Sequence, residues 1–314
     1  MNTEAVEMTR EEVVARIEEV RSEFGPWKRE NILLPHDVWT RDDMPPEPRL
    51  FIKRIIDSIA HLSGLPLDGC RILDLAPGEG ASTVECVLQG ARLTVVEARR
   101  ENLERIRAAI DCYGRTDQVE FRQGDVRDIS PETHGTFDII LCCGILYHLP
   151  AEGVHQVVNQ MYRMANRLVF MDTHVSLEPD SEIVLDGVTY RGWYYPEHDS
   201  GESASTREAA IYKSIDNETS FWFSRVSLTN MLLRAGFASV VEVLNTPMPR
   251  RPDRCSFAAI KADPVPVKVA PGGYPVGYWD EGTLDYGPQN NPRRRQNSLV
   301  RRARRFLRQV IRGN

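Results

Sequence analysis

The 314-residue chain lacks several features that would each indicate a particular class of protein. Its six cysteines include no Cys-x-x-Cys pair, and most lie in apolar runs, where a thiol behaves as a small hydrophobic side chain. No stretch approaches the roughly 20 uninterrupted apolar residues of a membrane span, and the acidic N-terminus lacks the basic start of a signal peptide. These absences predict a cytoplasmic protein with reduced thiols.

Acidic residues are absent from residues 291–314, which contain nine arginines. The whole chain has a formal net charge of −6 and this segment one of +9, so the rest of the chain has a net charge of −15. The segment predicts a basic amphipathic helix, whose apolar face consists of Leu299, Ala303, Phe306, Leu307, Val310 and Ile311. Three partners stay open for this helix: the acidic body or a second subunit, an anionic surface at the inner membrane, and RNA, which the acidic remainder disfavours.

The spacing of apolar residues divides the chain into four segments with different patterns. The central segment alternates short apolar runs with amphipathic helices, which predicts a seven-stranded, mostly parallel α/β sheet with helices on both faces. The segments are an N-terminal helical cap (1–68), this Rossmann-like domain (69–262), a Pro/Gly-rich wrap (263–292) and the basic helix (293–314).

Three local patterns refine this division. Thr9 and Glu12 form a capping box that predicts the start of an amphipathic helix in the cap. Residues 175–220 show no regular period and read as an irregular insertion after the fifth strand. In the helix that follows, Ser227 is the candidate N-cap and Gly236 lies near the C-terminal end.

Polar residues and glycines follow the first three strands of the central segment. The strand RILDLA runs into a turn containing Gly78 and Gly80, whose spacing differs from the GxGxxG fingerprint, and no GxxxxGK[ST] motif is present. Glu97 ends the second strand, where its carboxylate can accept hydrogen bonds from both hydroxyls of a ribose. Asp125 follows the third strand and is the candidate reader of adenine. Carboxyl ends of parallel strands are where open α/β sheets bind ligands, so the pattern indicates nucleoside recognition.

The ordered series DLAPGEG, Glu97, QGDV and FDIILCCGILYHL resembles the motifs of class I S-adenosylmethionine-dependent methyltransferases over residues 70–175, and less closely over 220–262. The resemblance implies S-adenosylmethionine as cofactor and a sheet whose last strand is antiparallel. It implies the following contacts: Asp74, Ala76, Gly78 and Gly80 around the methionine part, Glu97 on the ribose, Asp125 and Val126 at adenine, and Cys143 or Gly144 in the methyl-donor pocket. Ala76 departs from the family, which has glycine there, so a non-catalytic relative stays an alternative.

The segment GILYHLP places Tyr147 and His148 just beyond the fourth strand, at the edge expected for the cofactor. Because an imidazole titrates near neutral pH, His148 is the candidate general base; the alternative is that it caps a loop or packs over the cofactor. Asp172 and His174 end the fifth strand and are candidates to orient the acceptor or assist His148. Two such ligands are too few for a hard cation, so no metal is predicted.

Aromatic residues are concentrated in residues 188–203 and return in residues 221–224. They predict a lid that stacks on an acceptor, or alternatively a satellite core beneath the insertion. The arrangement is similar to methyltransferases of bacterial glycan and natural-product pathways, and more distantly to tRNA wobble-uridine carboxymethyltransferases. The expected function is O-methylation of a sugar, glycan or small natural product, with a tRNA-modifying transferase and a non-catalytic binding subunit as alternatives.

Overall fold

The computed structural model describes residues 8–44, 50–243 and 252–263. The basic helix and all but the first residue of the wrap therefore lie outside the described residues. The helices are α1 (Arg10–Phe24), α2 (Leu50–Ser63), α3 (Ala81–Leu88), α4 (Arg100–Cys112), α5 (Pro131–His134), α6 (Ala151–Met164), α7 (Ala204–Ala209) and α8 (Arg225–Ala235). The strands are β1 (Leu33–Leu34), β2 (Val38–Trp39), β3 (Arg71–Leu75), β4 (Arg92–Glu97), β5 (Val119–Gln123), β6 (Phe137–Cys143), β7 (Ala165–His174), β8 (Ser181–Leu185), β9 (Val188–Pro196), β10 (Thr219–Phe223), β11 (Ser239–Val243) and β12 (Arg254–Ile260).

The main sheet has seven strands in the order β11-β12-β7-β6-β3-β4-β5. All pairs from β7 to β5 are parallel, and β12 runs antiparallel to both of its neighbours. The predicted Rossmann-like fold is therefore confirmed. The connection order reverses between β3 and β6, which creates the crevice at the carboxyl edge where such sheets bind ligands.

Helices cover both faces of this sheet because its buried strands are apolar on both sides. Successive residues of a strand point to opposite faces, so Ile72 joins the core that includes Ile17 of α1 and Ile106 of α4. Leu73 joins the opposite core with Leu232 of α8. This two-sided burial fixes the strand ends on which the site is built.

The cap begins as the sequence predicts. Thr9 Oγ1 accepts the N–H of Glu12 at 3.3 Å, and the Glu12 carboxylate accepts the N–H of Thr9 at 2.7 Å. This capping box satisfies two N–H groups that the first turn of α1 leaves without helical partners. Buried residues Val13, Ile17 and Val20 then hold α1 against the sheet side that carries α4.

The prediction of an irregular insertion over residues 175–220 was wrong. Strands β8, β9 and β10 form a three-stranded antiparallel sheet in the order β10-β9-β8. The turn between β8 and β9 is Asp186-Gly187, with φ +50° and +75°, and an Asp-Gly pair with positive φ closes a tight hairpin. We call this sheet the small sheet.

The predicted N-cap of α8 was also wrong, by one helical turn. Ser224 is the N-cap, and its hydroxyl accepts the N–H of Ser227 at 3.0 Å. The Ser227 hydroxyl instead accepts the N–H of Arg191 in β9 at 2.8 Å, so it ties α8 to the small sheet. Gly236 ends the helix in the left-handed conformation, as expected. Across the three described ranges, no helix has the length and apolar character needed to cross a membrane.

Candidate active site

A cavity lies at the carboxyl edge of the main sheet, the edge at which open α/β sheets bind ligands. Its walls come from the strand ends, the cap and the segment before β10. The lining residues that concern us are Arg29, Ala76, Gly78, Glu97, Arg99, Asp125, Val126, Arg127, Gly144, His148, Lys213, Ser214 and Asp216. Most of the residues predicted for cofactor binding thus surround one space, together with the candidate base.

The turn after β3 depends on left-handed backbone conformations. Ala76, Gly78 and Gly80 have φ of +50°, +67° and +94°. A Cβ at Gly80 would lie 2.6 Å from the Ile106 side chain, so glycine is required there. Ala76 adopts its conformation despite the steric cost to a residue with a Cβ, and its N–H donates to Val96 O at 2.8 Å. The methyl group of Ala76 has therefore not displaced the turn from the end of β4.

Glu97 closes this turn from the end of the neighbouring strand. Its buried carboxylate accepts the N–H of Gly78 at 3.2 Å and that of Arg99 at 2.9 Å. Burial raises the pKa of Glu97, and these two hydrogen bonds act in the opposite direction. Glu97 thus lies beside the glycine turn, as expected, and its contact with a ribose stays a prediction.

Glu79, which sequence reasoning missed, joins the turn to the cap. Its buried carboxylate accepts the backbone N–H groups of Lys28, Arg29 and Glu30 at 2.6–2.8 Å. In return, the Glu30 carboxylate accepts the N–H of Ala81, in the first turn of α3, at 2.8 Å. The only signal in the sequence was a charged residue between two glycines of a buried turn. This reciprocal arrangement brings the cap to the rim of the cavity.

Asp74 supports the turn from behind and does not line the cavity. One carboxylate oxygen accepts the hydroxyls of Thr83 at 2.8 Å and Ser82 at 3.4 Å, and the other, Oδ1, has no hydrogen-bond partner. Full burial raises the pKa of Asp74 to about 7. It is therefore a buried support for α3, and its role near the methionine part stays a prediction.

Asp125 begins the turn after β5, and Val126 is buried beside it. The Asp125 carboxylate accepts the N–H of Arg127 at 2.8 Å and is paired with the Arg127 guanidinium, which also pairs with Asp216. Burial alone would raise the pKa of Asp125, but the bonds from Arg127 lower it. Adenine recognition by Asp125 stays a prediction. If it occurs, adenine must share the Asp125 carboxylate with Arg127.

His148 lies in the cavity wall with its imidazole oriented by a carboxylate. Nδ1 is 2.9 Å from Glu197 Oε1; because an ionised carboxylate only accepts, Nδ1 carries the proton. Glu197 is almost fully buried and also accepts the N–H of Ser214 and the hydroxyl of Ser220, both at 2.9 Å. Burial would raise the pKa of Glu197, but the bonds from His148 and these serines lower it. The arrangement leaves Nε2 as the basic nitrogen of His148.

Tyr147, Asp172 and His174 form a separate cluster around Arg254, which sequence reasoning also missed. Asp172 is paired with the Arg254 guanidinium and accepts the Ser256 hydroxyl at 2.7 Å. His174 Nδ1 is 2.7 Å from the Asp253 carboxylate. The cluster contacts the imidazole of His148 through Tyr147, whose ring centre lies 4.2 Å away. Asp172 and His174 thus have partners of their own.

The cluster approaches the cavity at Gly144, directly after Cys143 at the end of β6. A Cβ placed on Gly144 would lie 3.8 Å from Tyr147 Oη and 3.9 Å from Arg254 Nη2. The Gly144 N–H donates to Asp172 O at 2.8 Å. The Tyr147 hydroxyl therefore lies next to Gly144. Of the two candidates for the methyl-donor pocket, Gly144 lines the cavity and Cys143 does not.

The aromatic residues of the small sheet divide between its two faces. Tyr190, Phe221 and Phe223 are buried in the core with α6 and α8, which corresponds to the satellite-core alternative. On the other face, Trp222 stacks between Tyr195 and His174, with ring centres at 4.5 and 4.8 Å. Trp193, Tyr195 and Trp222 lie on this second face next to Tyr147, whereas Tyr194 packs edge-on against Phe221. A lid that stacks on an acceptor stays a prediction.

Comparison with known proteins agrees with this geometry. Residues 72–167 match a family described as a methyltransferase domain. The chain carries a methyltransferase domain of the Rossmann-like, S-adenosylmethionine-dependent class. The matched range of this methyltransferase domain begins in β3 and ends in β7, and it includes the glycine turn, Glu97, Asp125 and His148.

The curated relatives of the methyltransferase domain are distant. A ubiquinone biosynthesis O-methyltransferase of Xanthomonas campestris pv. campestris (strain B100) is 28% identical over 113 residues, which is 36% of this chain and 46% of the relative. A protein of the same name from Xanthomonas euvesicatoria pv. vesicatoria (strain 85-10) is 30% identical over 86 residues, 27% of this chain and 35% of that relative. The chain thus spans less than half the length of the curated relatives it matches.

A structural relative covers much more of the chain. The N-terminal domain of EvdMO1, crystallised in the presence of SAH and D-fucose, is 24% identical with a TM-score of 0.60, and the match covers 81% of this chain and 97% of that domain. At this identity the likeness shows a shared fold, and it extends beyond the methyltransferase domain that the family match covers.

Proposed function

We propose that this protein binds S-adenosylmethionine in the cavity and methylates a hydroxyl group of a sugar or related small molecule. The oriented imidazole of His148 in the cavity wall is the observation that carries the choice of a hydroxyl acceptor, because a hydroxyl becomes a good nucleophile when a base removes its proton.

The residues around the cavity suit the proposed cofactor. The bare backbone of Gly78 in the cavity wall admits a ligand close to the main chain, and Glu97 holds a buried carboxylate beside this turn. Asp125 and Val126 also line the cavity. When bound, the cofactor would supply an electrophilic methyl group. The protein then has to orient the acceptor at near-attack distance and exclude water.

His148 would take the proton of the acceptor hydroxyl on Nε2. The Glu197 carboxylate holds the Nδ1–H at 2.9 Å, which fixes the tautomer and stabilises the imidazolium that forms, as a buried carboxylate does in other histidine–carboxylate pairs. Glu197 itself is held by Ser214 and Ser220, so the imidazole has a fixed orientation before the acceptor arrives.

Two observations support a sugar as the acceptor. The face of the small sheet beside Tyr147 presents Trp193 and Tyr195, whose rings have the amphipathic character that suits stacking on a sugar. The EvdMO1 domain with the same fold was crystallised with D-fucose and SAH. Free deoxyhexoses and glycosides are therefore the first acceptors to test.

The first experiment is calorimetric titration of the full chain with S-adenosylhomocysteine, which requires no acceptor. Micromolar binding is expected. Methyl transfer from labelled S-adenosylmethionine to a panel of sugars, phenols and tRNA then tests the acceptor class, and transfer to sugars alone is the expected result. A wild-type protein that fails to bind S-adenosylhomocysteine would contradict the proposed function and favour the non-catalytic alternative.

A further inference from the structure

Arg99 follows the ribose candidate Glu97 by two residues and makes contacts in two directions. Its N–H donates to Glu97 Oε1 at 2.9 Å. Its guanidinium donates to three backbone carbonyls of the segment before β10: Glu208 at 2.6 Å, Ala210 at 3.2 Å and Lys213 at 3.3 Å. One buried side chain thus holds a loop that forms part of the cavity wall.

The last of these carbonyls belongs to a peptide group that also contacts Glu197, the carboxylate that orients the proposed base His148. The carbonyl of Lys213 accepts from Arg99, and the N–H of Ser214, which belongs to the same planar peptide group, donates to Glu197 Oε2 at 2.9 Å. The two groups point in opposite directions across a trans peptide, so the peptide bridges Arg99 and Glu197. A donor to the carbonyl also polarises the N–H and strengthens its hydrogen bond.

We propose that Arg99 is a positioning residue. Through the Lys213–Ser214 peptide it holds Glu197, and thereby His148, at a fixed position relative to Glu97, the proposed ribose ligand. The proposal rests on the proposed function, because it assigns His148 as the base. The path consists of Glu97, the Arg99 backbone and side chain, one peptide group, Glu197 and the imidazole.

A neighbouring arginine provides a matched control. Arg207 also donates to a carbonyl of the same segment, that of Asp216 at 2.6 Å, and to the Glu218 carboxylate at 2.8 Å. Neither contact involves the Lys213–Ser214 peptide or the Glu197 carboxylate. Arg207→Met thus loosens the same region of the chain without interrupting the proposed path, whereas Arg99→Met retains the apolar stem and removes the donors.

The experiment follows the Nδ1–H of His148 by NMR in the full chain with ¹⁵N-labelled histidine, and it needs no acceptor. His148→Asn identifies the signal. We expect a hydrogen-bonded, slowly exchanging Nδ1–H in the wild type and in Arg207→Met, and exchange at least about tenfold faster in Arg99→Met. Arg99→Lys retains the charge and some donors, so it should restore part of the protection. Circular dichroism verifies the fold of each variant.

The outcomes separate the two proposals. Wild-type protection of the His148 Nδ1–H in both Arg99→Met and Arg99→Lys would overturn the role of Arg99 and leave the proposed base intact. Equal loss of protection in Arg99→Met and Arg207→Met would also overturn it, because the effect would then be a general loosening of the segment. Absence of a protected signal in the wild type would remove the support for His148 itself. Should Arg99→Met fail to fold, the comparison of Arg99→Lys with Arg207→Met decides.

Discussion

The part of the cavity proposed for the cofactor is held by carboxylates that accept backbone N–H groups, whereas His148, the base proposed for the acceptor, is held by a side-chain pair. Glu79 and Glu97 each accept at least two backbone donors, whose positions follow from the fold. His148, in contrast, is oriented by one carboxylate, that of Glu197, which directly follows β9. The first arrangement should be sensitive to changes in backbone conformation, and the second to changes in side-chain chemistry.

The largest effect is expected from removing the base. His148→Ala should lower turnover by about 10²–10⁴-fold, the usual contribution of a general base, and leave the affinity for S-adenosylhomocysteine unchanged. Glu197→Gln should also lower turnover, because it removes the charge and replaces one of the two accepting oxygens by an NH2 donor. Steady-state kinetics with the acceptor found by screening, combined with calorimetry, measures both quantities.

A surface histidine provides the control for this pair of variants. His61 of α2 is exposed, and its ring contacts only the carbonyl of Asp57 at 2.8 Å among the described residues, so His61→Ala should retain full turnover. Retained turnover in His148→Ala would remove the imidazole from the chemistry and leave it the role of packing over the cofactor.

The difference between the two parts also decides how much could be predicted from the sequence. Gly78, Glu97 and Asp125 each lie within a few residues of a strand end, so recognising the strands was sufficient to place them. Glu197 lies 49 residues from His148, and Arg99 lies 109–114 residues from the carbonyls it binds. Such contacts depend on how residues 197–214 pack against the carboxyl edge of the main sheet, and no local sequence pattern specifies this packing.

The small sheet itself was missed although its signal was present. Asp186-Gly187 is a strong hairpin signal between two runs of alternating residues, but the polar stretch around it led to the prediction of an irregular insertion. The error in the N-cap of α8 has a related cause, because Ser224 and Ser227 are both good capping residues. The choice between them depends on the contact of Ser227 with Arg191 in β9.

Backbone sensitivity of the cofactor part can be tested at Gly80. Gly80→Ala should destabilise the protein by about 2–4 kcal/mol, since it adds left-handed strain to an overpacked contact with Ile106, and it should abolish measurable cofactor binding. Urea denaturation and calorimetry are the measurements. Gly64→Ala is the matched control: its φ is +66° and a Cβ there meets no atom within 4 Å, so only the strain, about 1–2 kcal/mol, should appear.

Glu97 tests whether the buried carboxylate binds the cofactor or only closes the turn. Glu97→Ala should weaken S-adenosylhomocysteine binding by about 1.5–3 kcal/mol, the range for charge-assisted hydrogen bonds. Glu120→Ala, an exposed carboxylate on neighbouring β5, is the control and should bind normally. Unchanged affinity in folded Glu97→Ala would overturn the assignment to the ribose.

The smallest effect is expected at Ala76, where the chain departs from the family's glycine. Ala76→Gly relieves about 1–2 kcal/mol of left-handed strain but gives back about 0.4–1 kcal/mol as entropy of the unfolded chain, so stability should rise by at most about 1.6 kcal/mol. Because the Ala76 N–H already holds the turn against Val96, affinity for S-adenosylhomocysteine should change by less than about threefold. Asp186→Gly starts from the same φ of +50° at a residue that does not line the cavity, so it is the control for the loss of backbone strain. A gain of about tenfold or more in affinity for Ala76→Gly, without one for Asp186→Gly, would show that the methyl group obstructs the cofactor site.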